Sequence, residues 1–155
     1  MTDGLLIRPT LAADIAAIAR IAEATGLFPA DMLSPMIAGY LDGSKPDIWL
    51  TAAVGEDPIG FGFCEPERMT SGTWNLLAIG VTPDRQGHGV GAALVAAVED
   101  RLRDEAQRVL LVETIGTPAF SRTRAFYQRE GFVEEARIRA FYDEGLDKVV
   151  FWKRL

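Results

Sequence analysis

Cysteine and histidine each occur once among the 155 residues, as Cys64 and His88. A lone cysteine excludes an intrachain disulfide and a cysteine-built zinc cage. A histidine-based nucleophile relay would have to pass through His88, and a metal site would be left mainly with carboxylates. We expect no metal. Basic residues are also in deficit, with 16 Lys and Arg against 22 Asp and Glu and a net charge of −6. That balance argues against general binding to nucleic-acid phosphates. Long apolar runs are missing. The longest, Ala92 to Val98, is far short of the roughly 18–20 residues of a spanning helix, so no membrane association is expected. Met1, Thr2, Asp3 and Gly4 form no basic region ahead of an apolar stretch. A reducing cytoplasm is the expected compartment.

What is present is the mixture of a globular protein. Hydrophobic residues make up 48% and charged residues 25%, enough apolar side chains for a real core. We find no repeat, low-complexity tract or long linker, so residues 1–155 are expected to form a single domain.

The chain reads as alternating elements. Leu5 to Arg8 is a strand ended by Pro9. Thr10 is placed to cap the next helix, with Asp14 near its positive end. Ile15, Ile18 and Ala22 give that helix an apolar face, and Gly26 stops it. A second helix runs from Pro29 or Asp31 to Tyr40, with Met32, Met36 and Ile37 inward and Pro35 placed to kink or divide it. Ile48 to Val54 and Ile59 to Cys64 are strands joined by the hairpin signal Gly55-Glu56-Asp57-Pro58. Thr73 to Val81 is a strand. Gly89 to Glu105 is a helix with Gly91, Leu94, Val95, Val98 and Leu102 on one face. Val109 to Glu113 is a β-branched strand, and Ser121 to Glu130 a helix with Gly131 just past its end. Phe132 to Ile138 and Lys148 to Trp152 are the last strands. The class is α/β, with antiparallel hairpins at both ends and one crossover unit in the middle.

The crossover unit carries the chemistry. Three alternating glycines, in Gln86-Gly87-His88-Gly89-Val90-Gly91-Ala92, stand where the helix begins. Glycine lets the backbone bend and approach a ligand closely. The unpaired N–H groups of the first helical turn and the helix dipole then favour an anion, so a pyrophosphate fits without a basic side chain. No Gly-Lys-Ser/Thr ending supports a phosphate-loop NTPase. Gly87 to Ala92 does match the dinucleotide pattern G-x-G-x-x-A, with Glu113 about 20 residues on. However, Thr82 to Gln86 separate the strand from the first glycine, and no further βαβ units follow.

The segment Gln86-Gly87-His88-Gly89-Val90-Gly91 resembles the signature of the GNAT superfamily of N-acetyltransferases. Ile79-Gly80-Val81-Thr82-Pro83 resembles the family's strand and turn. Phe126-Tyr127-Gln128-Arg129-Glu130-Gly131-Phe132 resembles its Phe-Tyr-x-x-x-Gly-Phe hallmark. The likeness extends over nearly the whole chain. It implies a mixed, mostly antiparallel sheet of about seven strands with a splayed βαβ unit and about four helices. It further implies acetyl-CoA as cosubstrate. Backbone groups of Ile79, Gly80 and Val81 would pair with the pantetheine, and an N–H there would polarise the acetyl carbonyl. Amides of Gly87, His88, Gly89, Val90, Gly91 and Ala92 would hold the pyrophosphate, with Gln86 opening the motif and buttressing the loop.

The implied reaction is direct attack of a primary amine, on a small molecule or a peptide N-terminus, upon the thioester. Deprotonating a lysine-like amine at pH 7 would cost about 4–5 kcal/mol, so a base or water chain must help. Tyr127 occupies the place of the acid that protonates the leaving thiolate. Glu113 is the candidate base, with Glu65 and Glu67 as alternatives, while Asn75 stands where a carboxylate would be useful. His88, within the loop, is read as noncatalytic, and Cys64 as a small buried hydrophobe. Many relatives carry an asparagine seven residues before the tyrosine, where this chain has Phe120. Arg122 and Arg124 are placed to meet CoA phosphates or to solvate a helix face.

Substrate recognition is expected from Leu27-Phe28-Pro29, from Glu65 to Gly72, and from a hairpin loop Ala140 to Gly145. Asp143, Glu144 and Asp147 there could attract a cationic amine. The aromatic group Phe141, Tyr142, Phe151 and Trp152 reads as a packing surface or that of a homodimer. Two other readings stay open: a noncatalytic acyl-CoA-binding or sensing domain, and a dinucleotide-binding module.

Overall fold

A computed structural model describes residues 4–155, so the reading of Met1, Thr2 and Asp3 falls outside it. The strands are β1 (Leu5–Pro9), β2 (Ile48–Val54), β3 (Asp57–Pro66), β4 (Thr73–Val81), β5 (Val109–Ile115), β6 (Val133–Asp143) and β7 (Leu146–Arg154). They form a seven-stranded sheet in the order β1-β2-β3-β4-β5-β7-β6. The described α-helices are α1 (Ile15–Ala24), α2 (Leu33–Leu41), α3 (Val90–Asp104) and α4 (Ser121–Arg129). This is the expected α/β class: a mixed, mostly antiparallel sheet in which β4 and β5 run parallel. None of the described helices is long and apolar enough to cross a membrane. The described residues fall into two compact units, 4–65 with 77–101 and 66–76 with 102–155.

In the first unit, β1, β2 and β3 make an antiparallel meander, with registers from Leu5↔Val54 and from Ile48↔Cys64. Ile18, Ile21 and Ala22 of α1 and Leu33 and Ile37 of α2 pack on Trp49, Phe61, Phe63 and Ala78. Trp49 stacks on Phe63 at 4.2 Å between ring centroids. Gly60 permits a close approach here, since a Cβ on it would stand 2.9 Å from the Gly80 carbonyl oxygen and 3.3 Å from Val90.

Two local expectations fail in this unit. Thr10 does not cap α1. Its hydroxyl is buried 2.8 Å from that of Thr51, and the chain enters α1 through a 3-10 turn, Ala12–Asp14. Asp14 takes over the entry, accepting from the Leu11 N–H at 2.8 Å. The other failure is Met32, which is exposed while Leu33 is buried. A 3-10 turn at Ala30–Met32 precedes α2 and rotates the apolar face by one residue. Pro35 then lies in the first turn of α2, where its missing N–H has no intrahelical role, and the helix runs on through it.

In the second unit, β4 pairs with β5 from Thr73↔Val109 to Leu76↔Val112, and β7 lies antiparallel between β5 and β6. Side chains alternate across a strand, and register partners share a face. Leu110 and Val112 therefore face the same way as Phe151, and these three are buried. Asn75, Leu111, Glu113, Val150 and Trp152 share the other face. β6 and β7 outrun their expected ends. The stretch Ala140 to Asp143, read as loop, belongs to β6, and only Glu144 and Gly145 form the turn. The alternation Ala136-Arg137-Ile138-Arg139-Ala140 ends before Phe141, and the strand continues to Asp143, which pairs with Leu146 of β7.

Candidate active site

The glycine loop has the expected form. Gly87 and Gly89 adopt positive φ, 78° and 85°, with open space where a Cβ would stand. Gly91 lies in the first turn of α3. The first helical bond runs from Ala93 N–H to the Gly89 carbonyl. The amides of Val90, Gly91 and Ala92 therefore precede the i→i−4 ladder. Gln86 donates through Nε2 to the Val81 carbonyl at 3.0 Å, tying the loop to the end of β4. His88 Nδ1 lies 3.0 Å from the Gln86 carbonyl oxygen, so this ring is engaged within the loop. Ile79, Gly80 and Val81 lie in β4 beyond the register shared with β5. Such a loop accepts an anion on backbone donors, and such a strand edge accepts an extended chain.

Tyr127 sits on the inner side of α4, 7% exposed. Its ring packs against Phe132 and Phe151 at 5.7 and 6.0 Å between centroids. Burial pushes its phenol up to about 12, so the group carries its proton throughout the neutral range.

Glu113 and Asn75 share the opposite face of the unit's strands. Oε2 of Glu113 is paired with Nζ of Lys148 at 3.0 Å, and that ammonium also lies 3.9 Å from the centroid of Phe141. Asn75 is buried and donates through Nδ2 to Oε1 of Glu67 at 3.3 Å. Cys64 is fully buried, and burial raises its thiol well above the usual range, so it stays a neutral thiol.

Other expected participants have structural work. Arg124 donates through Nη1 to the carbonyls of Ile115 and Thr117, both at 2.8 Å, closing the end of β5. It is thus not simply a solvated helix-face residue. Phe28 packs edge-on to Phe61 at 6.1 Å. Asp147 accepts from the Ala140 N–H at 2.9 Å and Asp143 from the Glu144 N–H at 2.7 Å, which shapes the hairpin. The expected aromatic group does not form one surface. Phe151 is buried with Tyr127, and Phe141 meets Tyr142 at 5.0 Å. The sequence reading missed Lys148, which lies 35 residues from Glu113; only the β5–β7 register brings the two together. Among the described residues, no group of three or more His, Cys, Asp or Glu is placed to hold a metal ion.

The loop, the hallmark tyrosine and the sheet order decide the family together with one comparison. Residues 45–134 match the family model for the acetyltransferase (GNAT) domain. The chain belongs to the GNAT acetyltransferase family. A structure from Desulfovibrio desulfuricans assigned to the GNAT family is 32% identical, over 97% of this chain and 98% of that one, with a TM-score of 0.90. Two more distant structures share the GNAT fold. The ribosomal-protein-S18-alanine N-acetyltransferase of Escherichia coli is 19% identical over 97% of this chain and 93% of its own, with a TM-score of 0.77. The Salmonella typhimurium protein yncA, whose structure holds its cofactor acetyl-CoA, is 20% identical over 99% and 95%, with a TM-score of 0.78. As a GNAT protein this chain is an acetyltransferase, and its open, positive-φ glycine loop fits the diphosphate of an acyl-CoA.

Proposed function

We propose that residues 1–155 form one acetyltransferase domain that moves the acetyl group of acetyl-CoA to a primary amine by direct attack in a ternary complex. The observation that carries this reading is the Gln86–Ala92 loop, whose two positive-φ glycines stand ahead of three helix-start amides. In this reading the loop holds the pyrophosphate, and the backbone of Ile79, Gly80 and Val81 pairs with the pantetheine. Acetyl-CoA supplies the thioester as acyl donor. Glu113 accepts a proton from the amine. Tyr127 gives the phenolic proton to the departing thiolate.

The two proposed groups come from opposite faces of the strands they flank. Tyr127 meets the Phe151 face and Glu113 the Asn75 face. Lys148 Nζ, 3.0 Å from Oε2, fixes the position of the Glu113 carboxylate. The acceptor is a small-molecule amine or a peptide N-terminus, and neither nucleic acid nor a membrane is a partner. A cytoplasmic location agrees with the unpaired Cys64 thiol. We include a homodimer through β6, the edge strand, all of whose residues are exposed; light scattering that returns a monomer mass removes that element.

The test is transfer of labelled acetyl from acetyl-CoA to a panel of primary amines, repeated with Tyr127→Phe. The proposal expects turnover that the substitution lowers by about 10²–10⁴-fold at unchanged acetyl-CoA affinity. Tight acetyl-CoA binding with no turnover on any amine would support an acyl-CoA sensor instead. Stabilisation by NAD but not by CoA would support a dinucleotide module.

A further inference from the structure

Asn75 is 3% exposed, and its two polar atoms are treated unequally. Nδ2 donates to Glu67, whereas Oδ1 is buried and accepts from no donor among the described residues. Glu67 fixes that orientation, because a flipped amide would set its carbonyl against a carboxylate. Glu67 is itself anchored. Its N–H donates to the Thr73 carbonyl at 2.8 Å, and its own carbonyl accepts from the Thr70 hydroxyl at 2.9 Å. The amide is therefore held with its buried oxygen unpaired, and folded proteins rarely leave such an atom without a partner. The other buried atom of this kind, Trp49 Nε1, belongs to a ring stacked with Phe61 and Phe63.

The register places the free carbonyl. Asn75 pairs with Leu111, and Glu113 is two residues further along β5, so Asn75 and Glu113 are diagonal neighbours on one face. Leu111, Glu113, Val150 and Trp152 on that face are half-buried. On the opposite face Leu110, Val112 and Phe151 are buried.

We propose that Asn75 is the positioning residue for the acceptor amine. Its Oδ1 accepts one N–H of the bound primary amine, and Glu67 locks the amide in the orientation that makes this contact. The chemistry suits a nucleophile. A carboxylate at this place would favour the ammonium form, which cannot attack, whereas a neutral carbonyl accepts equally from a free amine. The second N–H is left for the base, so the site selects primary over N-methylated amines. This inference rests on the acetyltransferase reading.

The test is steady-state kinetics of wild type, Asn75→Leu, Glu67→Gln and Glu67→Leu. The amines are an alanyl peptide, a polyamine and an aminoglycoside, with the N-methyl counterpart of the best one. Asn75→Leu is expected to raise the amine KM about tenfold or more, the loss of one good hydrogen bond, and to narrow the preference over the N-methyl amine. The acetyl-CoA KM stays unchanged. The melting temperature holds or rises, since the unpaired carbonyl is gone. Glu67→Leu and Glu67→Gln each show part of the KM effect, since neither bars the flipped amide: Gln donates to Oδ1 as readily as it accepts from Nδ2. An amine KM unmoved by Asn75→Leu means that Oδ1 meets only water and overturns the inference alone. A lowered melting temperature with both KM values raised together assigns Asn75 a structural role and also overturns it. Wild type that binds no acetyl-CoA and acetylates no amine overturns the parent reading, and this one with it.

Discussion

At the residue scale, Asp14 shows how one buried charge is stabilised and what its loss costs. The Arg8 guanidinium grips both carboxylate oxygens, at 2.6 and 2.9 Å, and the Leu11 N–H and Thr51 hydroxyl add two more donors. Chiefly through Arg8, these hold the Asp14 carboxyl down to about 2. A depressed carboxyl contributes stability above its unfolded value and loses it as pH falls toward the folded one. Asp14→Asn should cost about 2 kcal/mol at pH 7 and almost nothing at pH 2, measured by urea unfolding. Tyr127 has the opposite sign. Its raised phenol favours the folded state below about pH 10, and that contribution fades between pH 10 and 12. A kcat profile with no limb from Tyr127 below pH 10 is therefore expected, while Glu113→Gln should lower kcat about a hundredfold. The tyrosine and the glycines were legible in the sequence because their motifs are local. The Glu113–Lys148 and Glu67–Asn75 contacts were not, since each depends on strand register or on a loop's return.

At the element scale, the best-read pieces are those whose pattern is complete within themselves. β2 and β4 have their expected limits, and α3 buries Leu94, Val95, Val98 and Leu102 as the helical spacing predicts. The misread ends belong to elements that borrow their structure. α1 and α2 begin through 3-10 turns that shift the cap and the inward face. β6 is held by β7 and has an irregular register between Ile138 and Asp143. Two substitutions probe how the loop and α3 are seated. Gly89→Val must carry a branched side chain at φ 85° in front of the helix-start amides. It should raise the acetyl-CoA KM at least about tenfold and cost about 1–2 kcal/mol of stability. Gly60→Ala should cost about 1–3 kcal/mol in thermal unfolding, because its Cβ meets a backbone oxygen that cannot swing aside.

At the scale of the whole molecule, the order of elements along the chain was readable but the order of strands in the sheet was not. β7 lies between β5 and β6. The physical reason is visible afterwards: Val149 and Phe151 are buried, whereas β6 is exposed throughout and suits an edge. The family was legible because two local motifs, each in its proper context, specify one ligand more tightly than either does alone. The acceptor was not, since the segments expected to choose it are mostly pinned by contacts of their own. The central claim is that this chain acetylates a primary amine through acetyl-CoA, with Tyr127 as the acid. Mass-spectrometric detection of acetylated amine, run side by side for wild type and Tyr127→Phe at saturating acetyl-CoA, tests it most directly. The account predicts product from wild type and at least about a hundredfold less from the variant. Equal rates from both, or no product from wild type that binds acetyl-CoA, would contradict it.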